Sequence, residues 1–273
     1  MTIMITGATG QLGSLIIENL LAELPDNTII AGVRNMDTAT HFKDKGVVVR
    51  CADYDRPETL QDAFAGVNKL LLISSSHSDD AVRLTQHTNV IDAAKAAGVA
   101  HILYTGFAFP QAGNKGTSSV HGLTEQAILD SGMEYTILRN GLYIDFVGVL
   151  GLNEAIRSGV RATQPGDWQF NAVTRRDLAR ATAKVLAGSG HEHRIYELAA
   201  AQTWTLAGLA EVLTELAGKP VIHTADASVQ HWIYHFLNSI DTKSTSNDLE
   251  HLMGQPVTSL KESIAPFLNL ENV

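Results

Sequence analysis

A single cysteine, Cys51, stands in 273 residues, so no disulfide can form within the chain, which fits a reducing compartment. Positive charge is also scarce: 20 Lys and Arg face 29 Asp and Glu, for a net charge of −9. Nucleic-acid binding needs a basic face against phosphates, and the sequence shows none. No apolar run approaches the roughly 20 residues of a membrane-spanning helix. The first residues enter a strand pattern without the basic region and cleavage site of a signal peptide, so a cytosolic protein is expected. Metal-like histidine spacings are incomplete. His231 and His235 are four apart, but Trp232 stands where a zinc-protease motif has glutamate, and His191-Glu192-His193 lies in a turn after Gly188 and Gly190. Among 11 histidines such pairs arise by chance, and no metal is expected. Ser74 to Ser76 lack the strand–turn–helix setting of a serine nucleophile.

What is present is ordinary in bulk and specific at the start. Hydrophobic content of 45% and charged content of 18% suit a globular α/β core. Ile3-Met4-Ile5 runs straight into Gly7-Ala8-Thr9-Gly10-Gln11-Leu12-Gly13, and an apolar helical stripe (Leu12, Ile16, Leu20) follows until Pro25. A strand, a glycine turn and a helix N-terminus in succession leave backbone N–H groups and partial positive charge facing the turn. A dinucleotide pyrophosphate suits that position, which makes Gly7, Thr9, Gly10, Gln11 and Leu12 candidate cofactor contacts.

Strand and helix patterns alternate through the first half, implying a doubly wound parallel sheet with right-handed crossovers. Strands are expected at Thr28–Val33, Val47–Val49, Lys69–Ile73, His101–Thr105 and Tyr135–Leu138. A helix from about Asp80 to Gly98 has Leu84, Ile91 and Ala94 among its apolar positions. A loop through Pro110, Gly113 and Gly116 leads to a helix ending at Asp130. Beyond Arg139 the alternation becomes irregular, with helices after Asp177 and Thr205 and a strand at Ile195–Leu198. The chain therefore divides into an NADP-binding Rossmann domain, 1–150, and a mainly substrate-binding lobe, 151–273. Segments at about 172–200 return from that lobe to the sheet.

Arg34 follows the second strand, where an NAD-binding fold usually places an acid for the ribose 2′-hydroxyl. Ala31 to Asn35 hold no acid, and a guanidinium there suits the 2′-phosphate of NADPH, leaving NADH as the weaker ligand; a solvated surface arginine is the alternative. Asp55-Arg56-Pro57-Glu58 has capping-box spacing, which assigns Asp55 to a helix cap. Asp53, beside Tyr54, is then left at the sheet's lip where adenine would lie, unless it too only caps. Ser74, Ser75 and Ser76 close the fourth strand at the carboxyl edge, where ligands of such sheets sit. Asn140, just past the sixth strand, should flank the nicotinamide by the same topology.

Taken together, Thr6 to Gly13, Val33-Arg34-Asn35, Leu70 to Ser75, Tyr104-Thr105-Gly106, Tyr135 to Gly141, Val173 to Ala179 and Tyr196 to Ala199 resemble the NmrA-like atypical short-chain dehydrogenases. The likeness covers nearly the whole chain and is greatest to the bacterial NADPH:quinone oxidoreductases and triphenylmethane reductases. It implies an NADPH-dependent reductase, adds Thr105 and Gly106 to the cofactor contacts, and admits a homodimer. The stretch from about Ala225 to Asn247 departs from the pattern by being shorter, which implies a trimmed helix over the pocket. Ordinary members of the wider superfamily carry a Tyr-x-x-x-Lys acid pair. Here those positions fall on Thr117 and His121.

Without that pair a plain ketone lacks a proton donor for its alkoxide. A quinone or a triarylmethyl cation spreads or cancels the charge itself, so orientation supplies most of the acceleration. His121 is the candidate to polarise an oxygen, and a structural histidine is the alternative. Phe107, Tyr143, Phe146 and Trp168 are candidates to line a slot for a flat aromatic acceptor, against simple core packing. A non-catalytic NADP(H)-binding redox sensor is the competing function. A nucleotide-sugar epimerase or ketone reductase is disfavoured by the missing pair.

Overall fold

The computed structural model describes residues 1–111, 117–163 and 168–269; the expected loop positions Gly113 and Gly116 lie outside them. In chain order the elements begin β1 (Thr2–Ile5), α1 (Gln11–Glu23), β2 (Thr28–Val33), α2 (Thr40–Lys43), β3 (Val48–Cys51), α3 (Pro57–Phe64) and β4 (Lys69–Leu72). They continue with α4 (Asp80–Ala96), β5 (His101–Phe107), α5 (Thr117–Ser131), β6 (Glu134–Asn140), β7 (Leu142–Tyr143), α6 (Leu152–Ser158) and β8 (Val160–Thr163). Then come β9 (Gln169–Phe170), β10 (Ala172–Val173), α7 (Arg175–Ala187), β11 (Arg194–Leu198), β12 (Trp204–Thr205) and α8 (Leu206–Ala217). The last are β13 (Ile222–Ala225), α9 (Trp232–Asn238), α10 (Asp248–Met253) and α11 (Leu260–Ile264).

The chain forms two compact units, Met1–Asn140 with Leu178–Leu198, and Gly141–Asp177 with Ala199–Val273. The division falls at Asn140, ahead of the expected residue 150, and the returning segment is narrower than 172–200. In the first unit seven strands form one sheet in the order β11-β6-β5-β4-β1-β2-β3, each pair parallel. The order reverses between β1 and β4. Loops leaving these two strands diverge there, opening the crevice where such sheets take ligands. Leu70, Leu71 and Leu72 of β4 are fully buried, as a central strand covered on both faces requires. Each such leucine contributes about 1.5–3 kcal/mol by leaving water.

In the second unit β10 pairs with β7 and β13 with β8, both parallel, and β12 pairs antiparallel with β9. Its core joins Phe146, Phe170, Leu209, Leu213, Tyr234 and Leu237. The stretch expected to be trimmed holds the end of β13 and the seven-residue helix α9. Among the described residues no helix is long and apolar enough to cross a membrane.

Two helix starts differ from expectation. Helix α7 begins at Arg175, before Asp177, because Thr174 Oγ1 accepts the Asp177 amide at 3.1 Å and donates to its carboxylate at 2.8 Å. Helix α3 is not capped by Asp55: Arg56 occupies the N-cap without a side-chain bond. Thr59 Oγ1 instead donates to the Arg56 carbonyl at 2.8 Å and accepts from the Asp53 amide at 3.0 Å.

The join of β1 to α1 is the tightest in the sheet unit. Gly7 has φ +58, and a Cβ on Gly13 would lie 2.5 Å from the Gly7 carbonyl oxygen and 2.9 Å from Ala8 Cα. Both obstacles are backbone and cannot rotate away. Gly13→Ala is expected to cost about 1–3 kcal/mol in urea unfolding; an unchanged midpoint would show that the turn can relax.

Candidate functional site

The site grows from this turn. Gly10 is the N-cap of α1, has no side chain to bond the first amides, and no acid occupies the first turn. The helix start therefore keeps its donors and its positive end for an anion. A cavity of about 740 Å³ opens beside it, lined by Gly7, Thr9, Gly10, Arg34, Tyr54 and Ser74–Ser76 among others. Arg34 is exposed at the end of β2, so its guanidinium is held by solvent and available to a ligand. Gln11 is exposed at the first position of α1, while Leu12 is buried against the core.

Tyr54 forms part of the wall through a fixed web. Its hydroxyl lies 2.5 Å from Thr6 Oγ1 and 2.9 Å from the Ile73 carbonyl, and Thr6 Oγ1 donates to the Leu71 carbonyl at 2.9 Å. Burial pushes the Tyr54 phenol well above its usual range, partly offset by the Thr6 bond and Arg34, so it stays protonated. The web ties the ends of β1, β3 and β4 together.

Neither aspartate caps α3. Asp53 Oδ1 accepts the Asp55 amide at 3.1 Å, a local turn that occupies its carboxylate. Asp55 lines the cavity and accepts a bond from Gln86 Nε2 at 2.7 Å.

The serine loop after β4 is pinned from behind by three α4 residues that sequence reasoning missed. Ser75 donates through its hydroxyl to Gln86 Oε1 at 2.5 Å and through its amide to His87 Nε2 at 2.8 Å. Arg83 Nε donates to the Ser75 carbonyl at 3.0 Å. The Ser74 amide donates to Thr105 Oγ1 at 2.9 Å, so Thr105 supports this loop from β5. Ser76 is exposed on the cavity side. The buried stripe of α4 is Arg83, Gln86, His87, Val90, Ile91 and Ala94, without the expected Leu84. Its helical period was readable; three polar members concealed it.

His121 does not hold the expected place against a substrate. It is 5% exposed, and both ring nitrogens are engaged: Arg83 donates to Nε2 at 3.3 Å, and Tyr104 Oη lies 2.7 Å from Nδ1. With Nε2 accepting, Nδ1–H donates to the tyrosine, so the ring braces α4 against β5. Phe107 stacks on it, ring centroids 6.2 Å apart. Burial first, then Arg83, lowers the His121 pKa to about 3 and that of His87 to about 4. The Thr117 side chain, at the other position of the acid pair, lies outside the described residues.

Gly106 lies against the Glu125 side chain. A Cβ there would come within 3.0 Å of Glu125 Oε1. Glu125 holds Arg139 in a two-pronged pair at 3.0 and 2.7 Å, and Glu197 takes the remaining prong at 2.8 Å. Asn140 is 3% exposed at the end of β6, where its carbonyl accepts the Ala108 amide at 2.9 Å.

In the second unit Phe146 is a core residue, a correction to its expected place in a slot. It stacks on Trp204, with ring centroids 5.8 Å apart, and packs against Phe170. Trp168, half-buried, joins the same aromatic group through Phe170 and Tyr234. Tyr143 carries the Arg175 guanidinium over its ring at 4.2 Å.

A family model described as NAD(P)H-binding matches residues 7–188. The chain is 39% identical to quinone oxidoreductase 2 of Escherichia coli (strain K12), over 99% of this chain and 100% of that protein. Among solved structures it is similar to the triphenylmethane reductase of Citrobacter sp. complexed with NADP(H), with a TM-score of 0.90 and 42% identity over 98% of this chain and 100% of that one. The NADPH-dependent quinone oxidoreductase of E. coli complexed with NADPH gives a TM-score of 0.84 and 38% identity, with 98% and 100% covered.

The buried histidines set a pH dependence. Both are neutral in the fold, yet each takes up a proton near pH 6.5 when unfolded. The unfolded state then binds more protons below that pH, so stability falls as pH drops from 6.5 toward 4, by about 1 kcal/mol per pH unit for each histidine. His121→Gln is expected to flatten the slope of urea stability between pH 7 and pH 5 by one histidine's share; parallel slopes would contradict the burial.

Proposed function

The chain belongs to the NAD(P)H-binding family and is an NAD(P)H-dependent reductase, and on that premise we propose that its acceptor is a quinone-like or triarylmethane-type conjugated molecule. NADPH, when bound, supplies the hydride. The residues fit that cofactor: a glycine turn whose helix amides are uncapped and Arg34 at the end of β2 line one cavity. The observation that carries the cofactor reading is this pairing, an uncapped helix start at the glycine turn and a guanidinium where an acid would repel a 2′-phosphate.

Asp55 bears on the same cavity, but Gln86 donates to its carboxylate and Arg34 supplies an opposing positive charge on the wall. Tyr54 and the serine loop provide a wall fixed by hydrogen bonds, so binding need not order it. The acceptor class rests on what His121 and His87 do not offer among the described residues. His121 and His87 are neutral and committed to internal bonds, so neither hands a proton to an alkoxide. An acceptor that delocalises or neutralises the incoming charge needs no such donor, and positioning does the remaining work. Names borne by the similar proteins, quinone oxidoreductase and triphenylmethane reductase, support the same class.

Two outcomes follow. Arg34→Ala should weaken NADPH binding by about 1.5–3 kcal/mol, roughly 10- to 150-fold, with little change for NADH; equal losses would place the 2′-phosphate elsewhere. The chain should also speed NADPH oxidation by menadione or malachite green above the buffer rate. Bound cofactor with neither acceptor reduced would favour an NADP(H)-binding regulatory protein instead.

A further inference from the structure

At the edge of the sheet opposite the cofactor cavity, the parallel register sets three charged or ligating side chains in a row. Lys69 opens β4, His101 opens β5 and Glu134 opens β6, with Lys69 paired to His101 and His101 to Glu134. Glu192 arrives from the turn before β11. Nitrogen or carboxylate atoms of His101, Glu134 and Glu192 all lie within 4.8 Å of one another.

The decisive feature is the histidine's tautomer. His101 is 3% exposed, and its Nε2 lies 2.8 Å from Thr136 Oγ1. That hydroxyl spends its own proton on the His191 carbonyl at 2.7 Å, so it accepts from Nε2–H. Nε2 therefore carries a proton, which leaves Nδ1 as the nitrogen open to a metal ion. Nδ1 is buried and has no hydrogen-bond partner. A buried polar atom without a partner is costly, and a cation held with the two carboxylates would satisfy it. Lys69 itself does not fill the gap, because its ammonium is committed to the Leu186 and Gly188 carbonyls at 3.0 and 2.7 Å.

We propose that His101, Glu134 and Glu192 form a binding site for a divalent transition-metal ion, which clips the starts of β5 and β6 to the turn leading into β11. One imidazole nitrogen and two carboxylate oxygens suit zinc-like ions better than calcium or magnesium. A ligating histidine is usually oriented through its other N–H, and here the Thr136 hydroxyl takes that part. Bonds of about 2.1 Å in a tetrahedral shell set ligand atoms about 3.4 Å apart, so the carboxylates must close by up to about 1.4 Å. Glu134 is exposed and can make that adjustment, whereas Glu192, half-exposed, must give up part of its bonding to the Glu192 and Gly190 amides. His191-Glu192-His193, set aside on spacing alone, thus contributes its glutamate and not its histidines.

Calorimetric titration of the chelator-treated full chain with Zn²⁺ tests this, with thermal unfolding as the second readout. One saturable ion per chain is expected, with a rise in Tm. Glu134→Gln and Glu192→Gln should each weaken Zn²⁺ by more than about tenfold and abolish most of the Tm rise, and Thr136→Val should weaken it about 10- to 100-fold. Both glutamates are accessible, so these variants should fold, and their KM for NADPH should match the wild type because the cofactor cavity lies at the other edge. The paired change His231→Gln with His235→Gln should leave Zn²⁺ affinity unaltered. Absence of saturable binding, or losses below tenfold in both glutamate variants, overturns the site.

Discussion

The Gly7 carbonyl is the point around which the proposed cofactor site is organised. The Gly10 amide donates to it at 3.0 Å, and Gly13 passes so close that a side chain there would meet it at 2.5 Å. That contact lets α1 begin directly at the end of β1, so the helix's first amides and its positive end face the cavity. Any residue with a Cβ would push the helix away and replace an anion seat with an ordinary loop. Arg34 gains its meaning from this geometry: at the end of a strand with no glycine turn beside it, it would be one more solvated cation.

A second constraint comes from the loop after β4. Its backbone groups leave the sheet without strand partners, and an unsatisfied buried polar group costs about 1–3 kcal/mol. Gln86, His87 and Arg83 supply the missing bonds from α4. Using a histidine ring as acceptor for a backbone amide requires it to be neutral, and burial keeps it so. The same condition removes His87 and His121 as proton donors. The wall's rigidity and the proposed acceptor chemistry thus share one physical cause.

Much of this was legible in the sequence where signals are local. The glycine turn, the continuous apolar run of β4 and the alternation of elements gave the sheet and its carboxyl-edge site, because strand burial and helix period are written in neighbouring residues. The misreadings were cases where a distant partner decided. Asp55 has capping spacing, yet its carboxylate is taken by Gln86, 31 residues along, while Asp53 makes the local turn. Phe146 is drawn into a group with Trp204 and Phe170 that spacing cannot show. The polar half of the α4 stripe was hidden because burial periodicity is normally sought among apolar side chains alone. Metal spacing along the chain likewise overlooked His101 and Glu134, which only strand register brings together.

A crystal structure of the chain with NADPH bound tests the central claim most directly. The account predicts the pyrophosphate against the backbone amides at the start of α1 and the 2′-phosphate beside the Arg34 guanidinium. A pyrophosphate seated away from the glycine turn, or a 2′-phosphate directed into solvent with Arg34 untouched, would contradict it.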